Sequence, residues 1–91
     1  MRVVWTEIAI NQLQGIYDYI AQTSIAYADQ TVDRLTRRSQ QIASFPRSGR
    51  MVPEFQDDSI REVIENPYRL IYRILPEQID VIAVVHGSQI L

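Results

Sequence analysis

The chain has 91 residues, 46% hydrophobic and 22% charged, with no cysteine, one histidine, and nine Lys plus Arg against eleven Asp plus Glu, for a formal net charge of -2. That length suits a single domain spanning residues 1–91, and such a domain buries only roughly 60 to 65% of its unfolded surface, so a partner that covers more of it is expected. The composition excludes a disulfide framework, a thiolate zinc cluster, a cysteine nucleophile and a two-histidine zinc helix, and the charge has the wrong sign for binding nucleic acid by neutralising many phosphates.

In chain order, Arg2 to Trp5 reads as a short strand, and Thr6 follows as a helix N-cap with Glu7 in the first turn, where negative charge suits the helix dipole. Ala9, Leu13, Ile16, Tyr17 and Ile20 then recur on one side of a 3.6-residue period. Thr23 and Ser24 mark a turn, and a second stripe of Ala28, Val32, Leu35, Ser39 and Ile42 ends before Pro46, so two consecutive helices form a hairpin. Pro46 to Ser59 shows neither period and reads as one long loop.

Beyond it the period falls to two over Ile60 to Ile64, Tyr68 to Leu75 and Ile79 to His86, with turns at Glu65-Asn66-Pro67 and Pro76-Glu77-Gln78. These segments predict an antiparallel three-strand meander. The last strand is nearly apolar on both faces and is expected inside the sheet, beside the first strand. The predicted fold class is α+β: an N-terminal strand and a two-helix hairpin packed on an antiparallel sheet. The longest uninterrupted apolar stretch is Val81 to Val85, so no membrane association is expected and the protein is read as cytoplasmic. No cofactor and no metal are called for.

Every cation is Arg, the side chain suited to bidentate carboxylate or phosphate contacts. Turns centred as above pair Ile64 with Tyr68 and Ile74 with Ile79, which places Arg61, Arg69, Arg73 and His86 together on one sheet face. Tyr68, Leu70, Tyr72, Ile74, Val81, Ala83 and Val85 take the other face, under the helices. In that register Arg69 and His86 are diagonal neighbours and Arg73 faces Asp80 in a cross-strand ion pair. Arg61 is expected to pair with Glu65 or Glu54, whereas Arg69, among Ile71, Ile82 and Val84, has no carboxylate across the strands. Arg69 and His86 stand equally as contact groups and as scaffold, and truncation of Arg69 is expected to cost within about 1 kcal/mol. Tyr68 and Tyr72 read as core aromatics.

The opening VVW, the helix IYDYIA, the turn FPRSGRMVPE, the strands IREVI and YRLIYRI and the close VVHGSQIL, in this order and at these spacings, resemble type II toxins of the RelE/ParE superfamily, on its ParE or plasmid-stabilisation branch. The resemblance covers essentially the whole chain. It implies a bacterial toxin neutralised by a cognate, ParD-like antitoxin that wraps it. RelE-like members cut mRNA on the ribosome with basic side chains of the sheet, whereas ParE-like members inhibit DNA gyrase.

Arg69 in YRLIYR matches the arginine that steadies the scissile phosphate in RelE-like toxins. The two lysines that precede it there are absent, Gln89 stands where relatives commonly carry Arg, and no tyrosine follows it. The resemblance therefore implies gyrase inhibition, with binding residues Arg61, Arg69, Arg73 and His86, ahead of an mRNA endoribonuclease with Arg69 and His86 as its catalytic pair. A degenerate, non-toxic binding module is the third reading.

Overall fold

A computed structural model of the chain describes residues 1–89. Its elements are β1 (Arg2–Trp5), α1 (Glu7–Ala21), α2 (Ile25–Ile42), a 3-10 turn at Pro46–Ser48, β2 (Arg50–Met51), β3 (Ile60–Glu65), β4 (Tyr68–Ile74) and β5 (Gln78–His86). The five strands form one sheet in the order β1-β5-β4-β3-β2. As expected, β1 lies beside β5 and β3 to β5 form an antiparallel meander; because β1 runs parallel to β5, the sheet as a whole is mixed. β2 is a two-residue strand inside the segment that sequence reads as loop.

Local chemistry sets both helix starts. The Thr6 hydroxyl accepts from the Ala9 N–H at 3.2 Å, and the Ser24 hydroxyl from the Tyr27 N–H at 3.1 Å. The Thr6 N–H donates to the Val81 carbonyl at 3.0 Å, which fixes where β1 leaves the sheet and α1 begins. Both helices lie on one face of the sheet, where Ala9, Leu35 and Ile42 pack with Val63, Leu70, Tyr72, Ile79, Val81 and Val84. Ser39, a polar residue in the α2 stripe, is buried because it accepts from the Trp5 indole N–H at 3.1 Å and donates to the Thr36 carbonyl at 2.7 Å.

The register departs from expectation in two places. The β3–β4 turn has two residues, Asn66 and Pro67, with Glu65 opposite Tyr68, so Ile64 faces Arg69 and Val63 faces Leu70. A one-residue slip carries a whole strand to the opposite face. Arg61 therefore joins Tyr72 on the helix side, and Glu62 moves to the face that holds Arg69. Across β4 and β5, Ile74 faces Ile79 and Arg73 faces Asp80 as expected, but an irregularity between Ile71 and Tyr72 leaves Ile82 unpaired. Beyond it Ile71 faces Ala83, Arg69 faces Val85 and Tyr68 faces His86. Val84 consequently enters the main core, while Ala83 and Val85 turn to the other face.

That second face is partly covered. Val52, 1% exposed, packs with Ile60, Ile71 and Val85 in a smaller core, so the segment after β2 folds back over the sheet. Gly49, just before β2, lets the chain pass close against β3 and Tyr72: a Cβ there would stand 2.5 Å from the Tyr72 hydroxyl and 2.6 Å from the Glu62 carbonyl. The Gly49 N–H instead donates to the Tyr72 hydroxyl at 3.0 Å, which itself donates to the Pro46 carbonyl at 2.6 Å. Tyr72 is fully buried and Tyr68 packs against the main core.

Candidate functional site

The four residues singled out by sequence do not share one face. His86 lies opposite Tyr68 on the helix side, its ring edge-on to the Tyr68 ring with centroids 6.0 Å apart. Arg69, one position along the ladder, points to the other side, so the two are not diagonal neighbours. The His86 Nδ1 accepts from the Ser88 N–H at 3.2 Å and lies 2.8 Å from the Ser88 hydroxyl, which assigns the proton of a neutral ring to Nε2.

Arg61 holds Asp58, with neither Glu65 nor Glu54 as its partner. Its Nε donates to the Asp58 carbonyl at 2.9 Å, one terminal nitrogen to the Asp58 carboxylate at 2.5 Å and the other to the Gly49 carbonyl at 3.2 Å. Arg47 reaches the same carboxylate at 2.7 Å. The bond from Arg47, followed by the charge of Arg61, holds the Asp58 carboxyl below the usual carboxylate range. Glu65 pairs instead with Arg34 and Arg38 of α2. Arg73 is exposed and, among the described residues, makes no ion pair with Asp80, whose carboxylate accepts from the Gln78 amide at 2.6 Å. Asp57 lies below the usual range chiefly through hydrogen bonds from Ser59, with a smaller contribution from the charge of Arg73.

Arg69 has two carboxylates where sequence predicts none. Its Nε and one terminal nitrogen donate to Glu62 at 2.8 and 3.0 Å, and its two terminal nitrogens donate to Glu54 at 2.8 and 2.9 Å. The β3 slip brings Glu62, fully buried, diagonally across from Arg69. Glu54 arrives on the segment that Val52 pins to the sheet. Arg50 lies 3.4 Å from Glu62, and the Gln89 carbonyl 3.4 Å from Arg69. The bonds to Glu54 and then to Glu62 keep the guanidinium more firmly protonated than a free arginine.

Among the described residues two cations and two carboxylates thus meet, and Arg69 is only 6% exposed. A phosphate brought to this guanidinium would meet Glu54 first. Glu62 and Arg50 enter the sequence reading only as letters of the motifs IREVI and RMVPE, and Glu54 only as a candidate partner of Arg61. The available signal was the acid at position 62 in a strand otherwise set for burial.

A groove of about 510 Å³ lies on the helix side, between α1 and the end of β5, lined by Ile16, Tyr19, Tyr68, Val84 and His86 among others. Elsewhere on their surfaces α1 and α2 expose Ile10, Ile25 and Tyr27. Gln12 of α1 accepts from the Val84 N–H at 2.9 Å, satisfying a strand group beyond the end of β1. Among the described residues no set of His, Asp or Glu is placed to hold a metal ion, and no helix is long and apolar enough to cross a membrane.

Residues 3–91 match the family described as the ParE toxin of the type II toxin-antitoxin system parDE. The chain belongs to that family. Toxin RelE2 of Caulobacter vibrioides is 29% identical to this ParE-family toxin over 90 residues, 98% of either chain. Among solved structures, the chromosomal ParDE TA system from P. aeruginosa matches the toxin's fold with a TM-score of 0.78 at 20% identity, covering 94% of this chain and 95% of that one. The YoeB/ParE toxin from Agrobacterium tumefaciens matches with a TM-score of 0.64 at 17% identity, covering 94% and 98%. The sheet with its helical hairpin is thus the ParE/RelE superfamily fold.

Proposed function

We propose that the chain binds a cognate, ParD-like antitoxin and, when free of it, inhibits DNA gyrase by protein contact rather than by cutting RNA. One observation carries this reading: Arg69, the one side chain that matches a catalytic residue of RelE-like toxins, is occupied by Glu54 and Glu62, while His86 lies on the other side of the sheet. RNA cleavage needs a base at the 2′-hydroxyl and positive charge at the phosphorane, directed at the same phosphate. A guanidinium matched by two carboxylates and an imidazole on the opposite face do not meet that requirement.

The groove between α1 and β5, with Tyr19 76% exposed, fits the apolar face of an amphipathic antitoxin helix. Purified toxin is expected to block gyrase supercoiling, to leave mRNA on translating ribosomes intact, and to co-elute with the product of a neighbouring short reading frame. Codon-positioned cuts that vanish in His86→Ala would establish the ribonuclease instead. Activity in neither assay, with antitoxin binding retained, would make the chain a binding module.

A further inference from the structure

The Arg69 guanidinium is gripped in two different ways. Glu62, fully buried on β3, takes Nε and one terminal nitrogen and so sets the plane of the group from the side. Glu54 takes both terminal nitrogens end-on, the bidentate pose in which an arginine receives a carboxylate. Glu62 is part of the sheet ladder, whereas Glu54 sits outside regular structure, between β2 and β3, with its side chain 26% exposed. The inner carboxylate is scaffold, and the outer one sits where a ligand would.

We propose that the end of Arg69 is a carboxylate-binding seat that the chain fills with its own Glu54, and that an acidic side chain of a protein partner takes the seat by displacing it. With Glu54 in place, Arg50 and Arg69 are balanced, among the described residues, by Glu54 and Glu62. With Glu54 withdrawn, these described residues keep one excess positive charge, on an arginine already oriented by Glu62. A single excess charge suits a carboxylate monoanion better than a phosphate dianion, which would lie against buried Glu62. Because Glu54 is tethered a short way from the seat, its effective concentration is high, and a free carboxylate competes poorly. A partner has to bring further contacts, and the exposed Met51 and Phe55 on either side of Glu54 supply apolar surface for them.

This inference rests on the reading of the chain as a protein-binding toxin, but its test is independent of gyrase. The Arg69 Nε–H resonance is followed by NMR in the wild type and in Glu54→Ala while sodium acetate replaces sodium chloride at constant ionic strength. Acetate is expected to shift the Arg69 signal of Glu54→Ala with a dissociation constant at least about tenfold lower than in the wild type, and amide exchange over residues 52–59 is expected to quicken in the variant. Equal acetate responses in the two proteins overturn the proposal. Inorganic phosphate binding more tightly than acetate in the same titration overturns the carboxylate assignment. If Glu54→Ala fails to fold, Glu54→Gln is titrated in its place, and failure of both to fold makes Glu54 a support rather than a displaceable occupant.

Discussion

Arg69 and Glu62 sit diagonally on adjacent strands and join through two hydrogen bonds, 2.8 and 3.0 Å long, with side chains 8% and 0% exposed. A buried pair of this kind is weak evidence for net stability, because desolvating both charges offsets much of their attraction. Removing one member, however, strands the other. Arg69→Ala leaves the Glu62 carboxylate buried with, among the described residues, only Arg50 nearby, and is expected to lower the unfolding free energy by about 3 to 5 kcal/mol. That replaces the cost of about 1 kcal/mol expected from sequence, which took Arg69 for an ordinary surface residue. Urea denaturation checks it, and a midpoint within error of the wild type would show that the pair contributes nothing.

The same geometry predicts non-additivity. Glu62→Gln and Arg69→Met each remove one charge of a contacting pair, so their combination is expected to recover about 0.5 to 3 kcal/mol relative to the sum of the single changes. A double-mutant cycle on urea midpoints measures this coupling, and a value near zero would place the pair in solvent.

Gly49 and Tyr72 make a second testable contact. Gly49→Ala sets a Cβ against the Tyr72 hydroxyl and the Glu62 carbonyl and is expected to cost about 1 to 3 kcal/mol, as overpacking does. Tyr72→Phe leaves the Gly49 N–H and the Pro46 carbonyl without this partner and is expected to cost about 1 to 3 kcal/mol alone. Combined with Gly49→Ala it relieves the hydroxyl clash but not the one with backbone, so the double variant should be more stable than the sum of the two. Melting temperatures of the three proteins decide it.

The acid limb of stability should depend on Asp58. Its carboxyl titrates below the ordinary 3.8 in the folded chain, because Arg47 and Arg61 favour the charged form. A carboxylate depressed on folding contributes stability that is complete above its unfolded value and is lost as pH falls through its folded one. Asp58→Asn is therefore expected to lower the melting temperature at neutral pH and to converge on the wild type only as pH falls through the folded value, itself below 3.8. Thermal melts across that range test the sign, and a difference that widens on acidification would reverse it.

Much of this architecture is written in the order of residues. Thr6 and Ser24 are short polar caps directly before apolar stripes, and the structure uses both as N-caps. The alternation through Tyr68, Leu70, Tyr72 and Ile74 selects the face that meets the helices, and the doubly apolar β5 lies inside the sheet between β1 and β4. These are local properties, set by hydrogen-bonding groups a few residues apart and by one strand's own period. Within these motifs FPRSG brings Gly49 to Tyr72, and IRE and YR supply the Glu62–Arg69 pair.

Tertiary structure alone decided which charges meet. A period of two says which residues alternate within a strand but not how far one strand is offset from the next. That offset came from a two-residue turn at Asn66 and Pro67 and from one unpaired residue, Ile82, in β5. Each shifts the ladder by a single position, and a single position exchanges faces. The first brought Glu62 to Arg69 and took Arg61 away; the second sent His86 to the side of Tyr68. Glu54 reaches Arg69 from 15 residues earlier only because Val52 is buried on the sheet. Such a long-range contact depends on the packing of the whole chain and leaves no period in the sequence to read.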